Sequence, residues 1–486
     1  MKNESQNGGL ALDYLFNPRS IAIVGVSSDL TKFNFGRMFV EILIDRDFKG
    51  KIYPIHPKGG EIFGLRIHPS VKDIPDRVDY VISAVPAQYA RQLIEDCSIR
   101  GVRAVNFFAA GFSEIEDDEG KRLESEIVAI ARRAGIRIIG PNCMGFYCPS
   151  KGLSYGQHFP KKSGTLGLVS QSGGLTSCCI WEAATRGIYF SKVISYGNSA
   201  DLNETDFLEY LAHDPETKVI AAYIEGTKDG PRFISMLKEA TKRKPVVIYK
   251  AGTTESGTRA ALSHTAAIAG SNIIWEGLLR QAGAIQVHSI EELVDLALLF
   301  IRVPPPKGKN TVVIGGGGGP SVKATDDCAN AGLIVPALPR EARERLTRIF
   351  GSEAGRMFRN PVDIAAVGGK KMIMDTIEAV AKCDEVDLLV MQIAFDIYIR
   401  DKEARKSAPA AFVDSVIEVQ GSINKPLVVA LHYHATDEAM ELASEARLRL
   451  GEAGVPVYPS VPRAASALNK FIQHHQWLSK TRKDNG

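Results

Sequence analysis

At 486 residues the chain is long enough for about three domains. Apolar residues make up 45% and charged residues 24%, the balance of a soluble globular protein, and a net charge of +3 supplies no basic field for nucleic acid. Seven scattered cysteines without zinc spacing, no apolar leader in MKNESQNGGLALDY and no run near the ~18 apolar residues of a membrane span make a reducing cytoplasm the expected compartment.

The first predicted strand, 20–26, reads SIAIVGV and closes on Gly25, Val26, Ser27 and Ser28, with a helical stretch over 36–44. Strand, small-residue turn and helix open a dinucleotide-type fold, although the turn is not GxGxxG. The next strand, 51–55, ends in HPKGG with Lys58. Strands at 79–85, ending at Pro86, at 104–108, ending in AAG, and at 137–139, ending in Gly140-Pro141-Asn142-Cys143, alternate with helices over 88–99 and 117–134. This alternation predicts a parallel sheet covered on both faces, with ligands beyond the carboxyl ends of the strands.

A second unit begins at Gly164. Its strand, 165–169, runs into SQSGGL and then a helix through Ala184. Ser172, Gly173 and Gly174 leave backbone N–H groups at a helix start, which attracts an anion; the competing reading is a plain left-handed turn of small residues. Strands at 193–195, 219–224 (with Glu225 at its tip) and 245–249 follow, and the last leads into RAALSHTAAIAGS, 259–271, with His264 near its centre. Helical patterns over 273–282 and 290–301 close the unit.

Pro304-Pro305-Pro306-Lys307-Gly308 is a stiff polar linker. Beyond it, a strand at 311–314 runs into five glycines, Gly315 to Gly319, then Pro320, Ser321 and a helix over 322–331, which repeats the turn at Ser172 in form. Strands at 388–393, 426–431 and 455–458 alternate with helices, and the terminal KFIQHHQWLSKTRKDNG is expected to fray. HYH at 432–434 offers no third ligand, so it reads as a strand-end cluster and not a metal site. A histidine among small residues is most often structural. Two phosphate-holding turns beside a nucleophilic imidazole instead point to a phosphohistidine.

In one order and at plausible spacing, IAIVG, HPK, VPA, GPNC, VSQSGGL, YIEG and SHTAAIAG resemble the NDP-forming acyl-CoA synthetases, most closely the α subunit of ADP-forming acetate–CoA ligase. Roughly the first 300 residues are similar to the succinyl-CoA synthetase α subunit, and the third unit to the carboxyl-terminal domain of its β subunit. The resemblance implies an α/β fold: a Rossmann-like CoA-binding domain over 1–145, a flavodoxin-like domain with a phosphohistidine loop over 146–303, and a second flavodoxin-like ligase domain over 304–486. It implies that acyl-CoA, ADP and phosphate interconvert with the free acid, CoA and ATP through an acyl phosphate and a phosphohistidine at His264. By the same likeness Glu225 orients and polarises that histidine. Ser172, Gly173 and Gly174 match the first phosphate-holding helix, and Gly317, Gly318, Gly319 and Ser321 the second, on the nucleotide side. Gly25, Ser27, Lys58, Val85, Pro86, Ala87 and Asn142 fall at CoA-binding positions, with Lys58 as a point charge for a CoA phosphate and Asn142 at the thiol.

No segment resembles an ATP-grasp domain and no metal site is expected in this chain. Mg and ADP or ATP are therefore expected on a separate ATP-grasp β subunit, in a dimeric or hetero-oligomeric assembly acting on a small carboxylic acid or its acyl-CoA. Ala267 stands where the family usually has glycine, which bears on the mobility of the histidine loop. Two other readings compete. A CoA-binding regulatory or scaffold protein would need only the first unit. A nicotinamide oxidoreductase would need an acid where His56-Pro57-Lys58 stands.

Overall fold

The structure, a computed structural model, describes residues 11–115, 117–257, 259, 272–315, 317–352, 357–364, 369–395, 402–432 and 436–484. It divides into two compact units, Met1–Ala184 with Ile188–Leu293, and Thr185–Gly187 with Val294–Gly486. The first unit holds two sheets. One contains β1 (Ser20–Val24), β2 (Lys51–Ile55), β5 (Tyr80–Ser83), β6 (Ala104–Phe107) and β7 (Arg137–Ile139), with a small hairpin of β3 (Gly60–Ile62) and β4 (Leu65–Ile67) to the side. The other contains β8 (Gly145–Tyr147), β9 (Leu166–Ser170), β10 (Phe190–Ser195), β11 (Val219–Ile224), β12 (Val246–Lys250) and β13 (Ile285–Val287). The second unit holds β14 (Thr311–Gly315), β15 (Val362–Asp363), β16 (Leu388–Ala394), β17 (Leu427–His432) and β18 (Val457–Tyr458).

All three sheets have one strand order. They run β2-β1-β5-β6-β7, β10-β9-β11-β12-β13 and β15-β14-β16-β17-β18, with β8 added antiparallel to the edge of the second. In each, the second strand lies outside the first and the third lies inside it. The connections therefore leave in opposite directions from the first and third strands, and a crevice opens at their carboxyl ends. The three crevices fall between β1 and β5, β9 and β11, and β14 and β16. Helices cover both faces, so the central strands are apolar throughout: every residue of LGLVS in β9 and VIAAYI in β11 is buried.

Turn chemistry fixes the first helix. Asn34 caps the helix Phe35–Asp45 by accepting from the Arg37 N–H at 2.7 Å, and its amide donates back to the Gly25 carbonyl at 3.0 Å. Helix and strand turn cross so closely that a β-carbon on Gly36 would lie 2.5 Å from the Gly25 carbonyl oxygen.

Two expectations are corrected. The helix expected over 322–331 is Gly318–Asn330, so Gly318, Gly319, Pro320 and Ser321 form its first turn. Proline is tolerated there because the first N–H groups have no intrahelical partner. The terminal segment does not fray from residue 470: a helix runs from Val461 to Asp484, with Phe471, Ile472 and His474 buried. Phe300 packs edge-on against Phe471 at 4.9 Å and His474 at 5.2 Å, which offsets the polar composition. No helix among the described residues is long and apolar enough to cross a membrane.

Candidate active site

The crevice of the second sheet is assembled from the ends of β9, β11 and β12. Register puts Tyr223 beside Ser170 and Ile224 beside Lys250, so the next residue of β11's chain, Glu225, emerges between the glycine turn and the run leading to His264. The turn itself is well tied. The Ser172 hydroxyl accepts from the Leu175 N–H at 3.3 Å, capping the helix Gly173–Thr185, and the Ser170 hydroxyl donates to the Ser172 carbonyl at 2.9 Å. A β-carbon on Gly173 would meet Met144 Cγ at 2.6 Å, whereas one on Gly174 would meet nothing within 4 Å. Packing explains the first glycine. The second leaves the helix start bare, where unpaired N–H groups and the helix dipole suit an anion.

Glu225 is 4% exposed. Its N–H and that of Gly226 both donate to Gln171 Oε1, at 2.5 and 3.1 Å, so a residue next to the glycine turn holds the acid's backbone. Its Oε2 is buried with no hydrogen-bond partner among the described residues. An unmatched buried acceptor costs about 1–3 kcal/mol, more when charged, so the site is prepared for a donor. Burial, and then the Glu225 charge, push the Tyr223 phenol above its ordinary range; burial, Glu204 and Glu225 do the same to Tyr196. Both phenols therefore stay protonated beside the acid. His264, like Ala267, lies outside the described residues.

Lys250 and Gln171 were not singled out by the sequence reading. A lysine ending a strand reads as solvated, and a glutamine before a serine–glycine turn reads as a polar loop residue. Both are buried, at 2% and 6% exposure.

The crevice of the first sheet is a cleft of about 480 Å³ between the ends of β1 and β5. Gly25, Val85 and Pro86 line it, together with Asn34, His56 and Tyr89. Gly25 has φ +96°, and a β-carbon there would lie 2.9 Å from Val85 Cγ1, so only glycine fits this closure. Ser27, Lys58 and Ala87 flank the cleft without lining it. The Ser27 N–H is bound to Asn34 Oδ1 at 3.2 Å, Lys58 is exposed with its N–H on His56 Nδ1 at 3.3 Å, and Ala87 opens the one-turn helix Ala87–Tyr89. Asn142 stands apart, past β7 at the edge of the sheet, with φ +56° and its N–H on the Ala109 carbonyl at 3.2 Å. Asn34 precedes FGR as a helix cap would, which is the signal that could have found it.

In the second unit the turn after β14 has Gly317 at φ +96°, its N–H on Asp363 Oδ1 at 3.0 Å. Gly318 and Gly319 face open space. The Ser321 hydroxyl is fully buried and, like Gln392 Oε1, has no partner among the described residues. A β-carbon on Gly315 would lie 3.3 Å from that hydroxyl and 3.5 Å from Gln392 Oε1, so both polar groups converge on the strand end.

Three α/β crevices, one with a buried acid beside an anion-suited helix start, are a frame suited to moving a group between bound ligands. Residues 19–149 match the CoA binding domain family, and 163–300 match the succinyl-CoA ligase like flavodoxin domain. Over 466 residues the chain is 35% identical to the α subunit of acetate–CoA ligase [ADP-forming] II of Pyrococcus furiosus, covering 95% of this chain and 97% of that one. It is 34% identical to the α subunit of enzyme I of the same organism, covering 97% and 99%. The solved dinucleotide-forming acetyl-coenzyme A synthetase 1 of Candidatus Korarchaeum cryptofilum, in complex with phosphate and ADP, superposes with a TM-score of 0.84 at 31% identity, covering 98% of this chain and 99% of that one. The chain belongs to the family of ADP-forming acetate–CoA ligases, as an α-subunit-type acid–CoA ligase. The reading as a non-catalytic CoA-binding protein is not favoured, since the likeness runs through all three sheets.

Proposed function

We propose that the chain is the α subunit of a reversible ADP-forming acyl-CoA synthetase that works through a phosphohistidine at His264. A phosphate oxygen attacks the thioester carbonyl, and CoA leaves as its thiol, giving an acyl phosphate. A ring nitrogen of His264 attacks the phosphorus, and the carboxylate leaves. A β-phosphate oxygen of ADP then takes the phosphoryl group, and the free imidazole returns. ADP and Mg²⁺ belong to a separate ATP-grasp β subunit in a cytoplasmic hetero-oligomer, and the acid is a small carboxylate.

The chain's own residues divide this work. The turn Ser172–Gly173–Gly174 holds phosphate on bare amides, and Gly317–Gly318–Gly319 with Ser321 receives the phosphoryl group on the nucleotide side. Gly25, Val85 and Pro86 seat CoA, with Ser27, Lys58 and Ala87 flanking the cleft and Asn142 at the thiol end. Glu225 accepts the second ring N–H of His264, fixing the tautomer and stabilising the imidazolium as charge develops. What carries the reading is the buried Oε2 of Glu225, unpartnered among the described residues and placed at the switch point beside an open helix start. Incubation with labelled ATP, magnesium and the β subunit is expected to give acid-labile, base-stable label on His264. Label retained by His264→Asn would overturn the assignment.

A further inference from the structure

Lys250 ends β12, and the chain beyond it runs to the segment 260–271 that carries His264. Its side chain turns inward: the residue is 2% exposed and its ammonium lies 5.2 Å from the centre of the Trp275 ring. The ammonium donates to the Glu225 carbonyl at 2.7 Å and to the Ala251 carbonyl. These three contacts have separate places in the chain. Glu225 is the acid at the tip of β11, Ala251 is the first residue past β12, and Trp275 sits in the first turn of the helix Asn272–Ala282, the first described element after the histidine segment. One buried cation therefore joins the candidate acid to the described chain on either side of His264.

Packing alone gives no reason for a charge here. Burial of an ammonium is costly unless it is paired, and its two hydrogen-bond partners are neutral carbonyls. Burial lowers its pKa to about 8, while the nearby Glu225 charge acts the other way. A methionine or leucine would fill the same stem volume against Trp275 without that cost. What the ammonium adds is geometry. A carboxylate oriented only through its own side-chain torsions would be loosely aimed. With the Glu225 N–H held by Gln171 and its carbonyl held by Lys250, the backbone that carries the carboxylate is fixed from both sides.

We propose that Lys250 is a positioning residue for phosphoryl transfer: it fixes the Glu225 backbone and ties it to the two flanks of the histidine segment. The proposal rests on the phosphohistidine reading above. The test is turnover and single-turnover labelling with the β subunit present, in Lys250→Met, Lys250→Gln and Lys250→Arg. Loss of the charge in Met or Gln is expected to lower kcat and the labelling rate at least tenfold, with KM for CoA within twofold of wild type and the thermal midpoint unchanged or raised. Arg, which keeps a charged donor, is expected to recover most of that loss. A folded Met or Gln variant that labels at the wild-type rate would overturn the proposal. So would a loss of rate that tracks a matching loss of CoA affinity and thermal stability. Should the Met variant not fold, the Gln variant carries the same test. Failure of the wild type to label His264 would sink the function itself, whereas a labelled wild type matched by Lys250→Met sinks only the role of Lys250.

Discussion

The turn after β9 and the turn after β14 occupy the same place in the same strand order, yet they are finished differently. At the first, hydroxyls are satisfied: Ser170 and Ser172 both hydrogen-bond within the turn, and the unmet group is a carboxylate oxygen at the tip of the neighbouring strand. At the second, the unmet groups are neutral, the Ser321 hydroxyl and the Gln392 amide oxygen, and the nearby carboxylate of Asp363 already accepts from Gly317. A carboxylate can hold a ring N–H and stabilise the charge that grows on it, whereas a hydroxyl and an amide can only bind. Shared topology supplies two anion cradles. On the proposed function, the acid just past β11 is what would let the first of them do chemistry.

The largest effect expected from this contrast is at Glu225. Glu225→Gln keeps the shape and removes the charge, so turnover is expected to fall by roughly two to four orders of magnitude while CoA binding is unchanged. Equal turnover in the variant would erase the distinction between the two turns. Gln392→Leu, at the neutral site, is expected to lower turnover far less, within about tenfold, since a single neutral hydrogen bond contributes about 1 kcal/mol.

Backbone strain gives the next test. Gly317 has φ +96°, in the region that side chains rarely adopt, and Gly174 does not. Gly317→Ala is expected to cost about 1–2 kcal/mol, read as a lowered thermal midpoint, while Gly174→Ala, entering open space inside a helix, is expected to leave it unchanged or slightly raised. Gly174→Ala should instead weaken phosphate binding by covering bare amides. Identical melting of the two variants would show that the turns do not differ in strain.

Much of this was legible because the turns are chemically loud. SQSGGL and the run of five glycines stand out in the sequence, and each follows an apolar run too short for a helix. What stayed hidden depends on contacts far apart in the chain. Which turns share a crevice is set by strand order, so Asn142, past β7 at the sheet edge, and Val85, past β5 at the switch, cannot be told apart by motif alone. Lys250 reads as a solvated strand end, because the tip of β11 and the helix at Trp275, which help enclose it, are distant in the sequence. The start of the helix at Gly318 was missed because glycine and proline have poor helix propensity, a penalty that applies to helix interiors more than to a first turn. The three-residue strands of the β3–β4 hairpin and the three-residue β8 are too brief to show a period.

The smallest expected effect separates the two serines. Ser172 caps its helix through the Leu175 N–H, so Ser172→Ala is expected to cost about 1 kcal/mol, and the melting temperature falls by a few degrees. Ser321 is the more buried of the two, and a burial argument alone would make it the more costly to remove. Its hydroxyl, however, has no partner among the described residues, so deleting it removes an unmet polar group. Ser321→Ala is therefore expected to leave stability within ~0.5 kcal/mol of wild type or to raise it. Transfer from the labelled histidine to ADP should still slow in that variant, if the hydroxyl is kept for an incoming phosphoryl oxygen. A variant that melts lower than Ser172→Ala and transfers phosphate at the wild-type rate would make Ser321 a packing residue, and the second turn would then rest on its glycine amides alone.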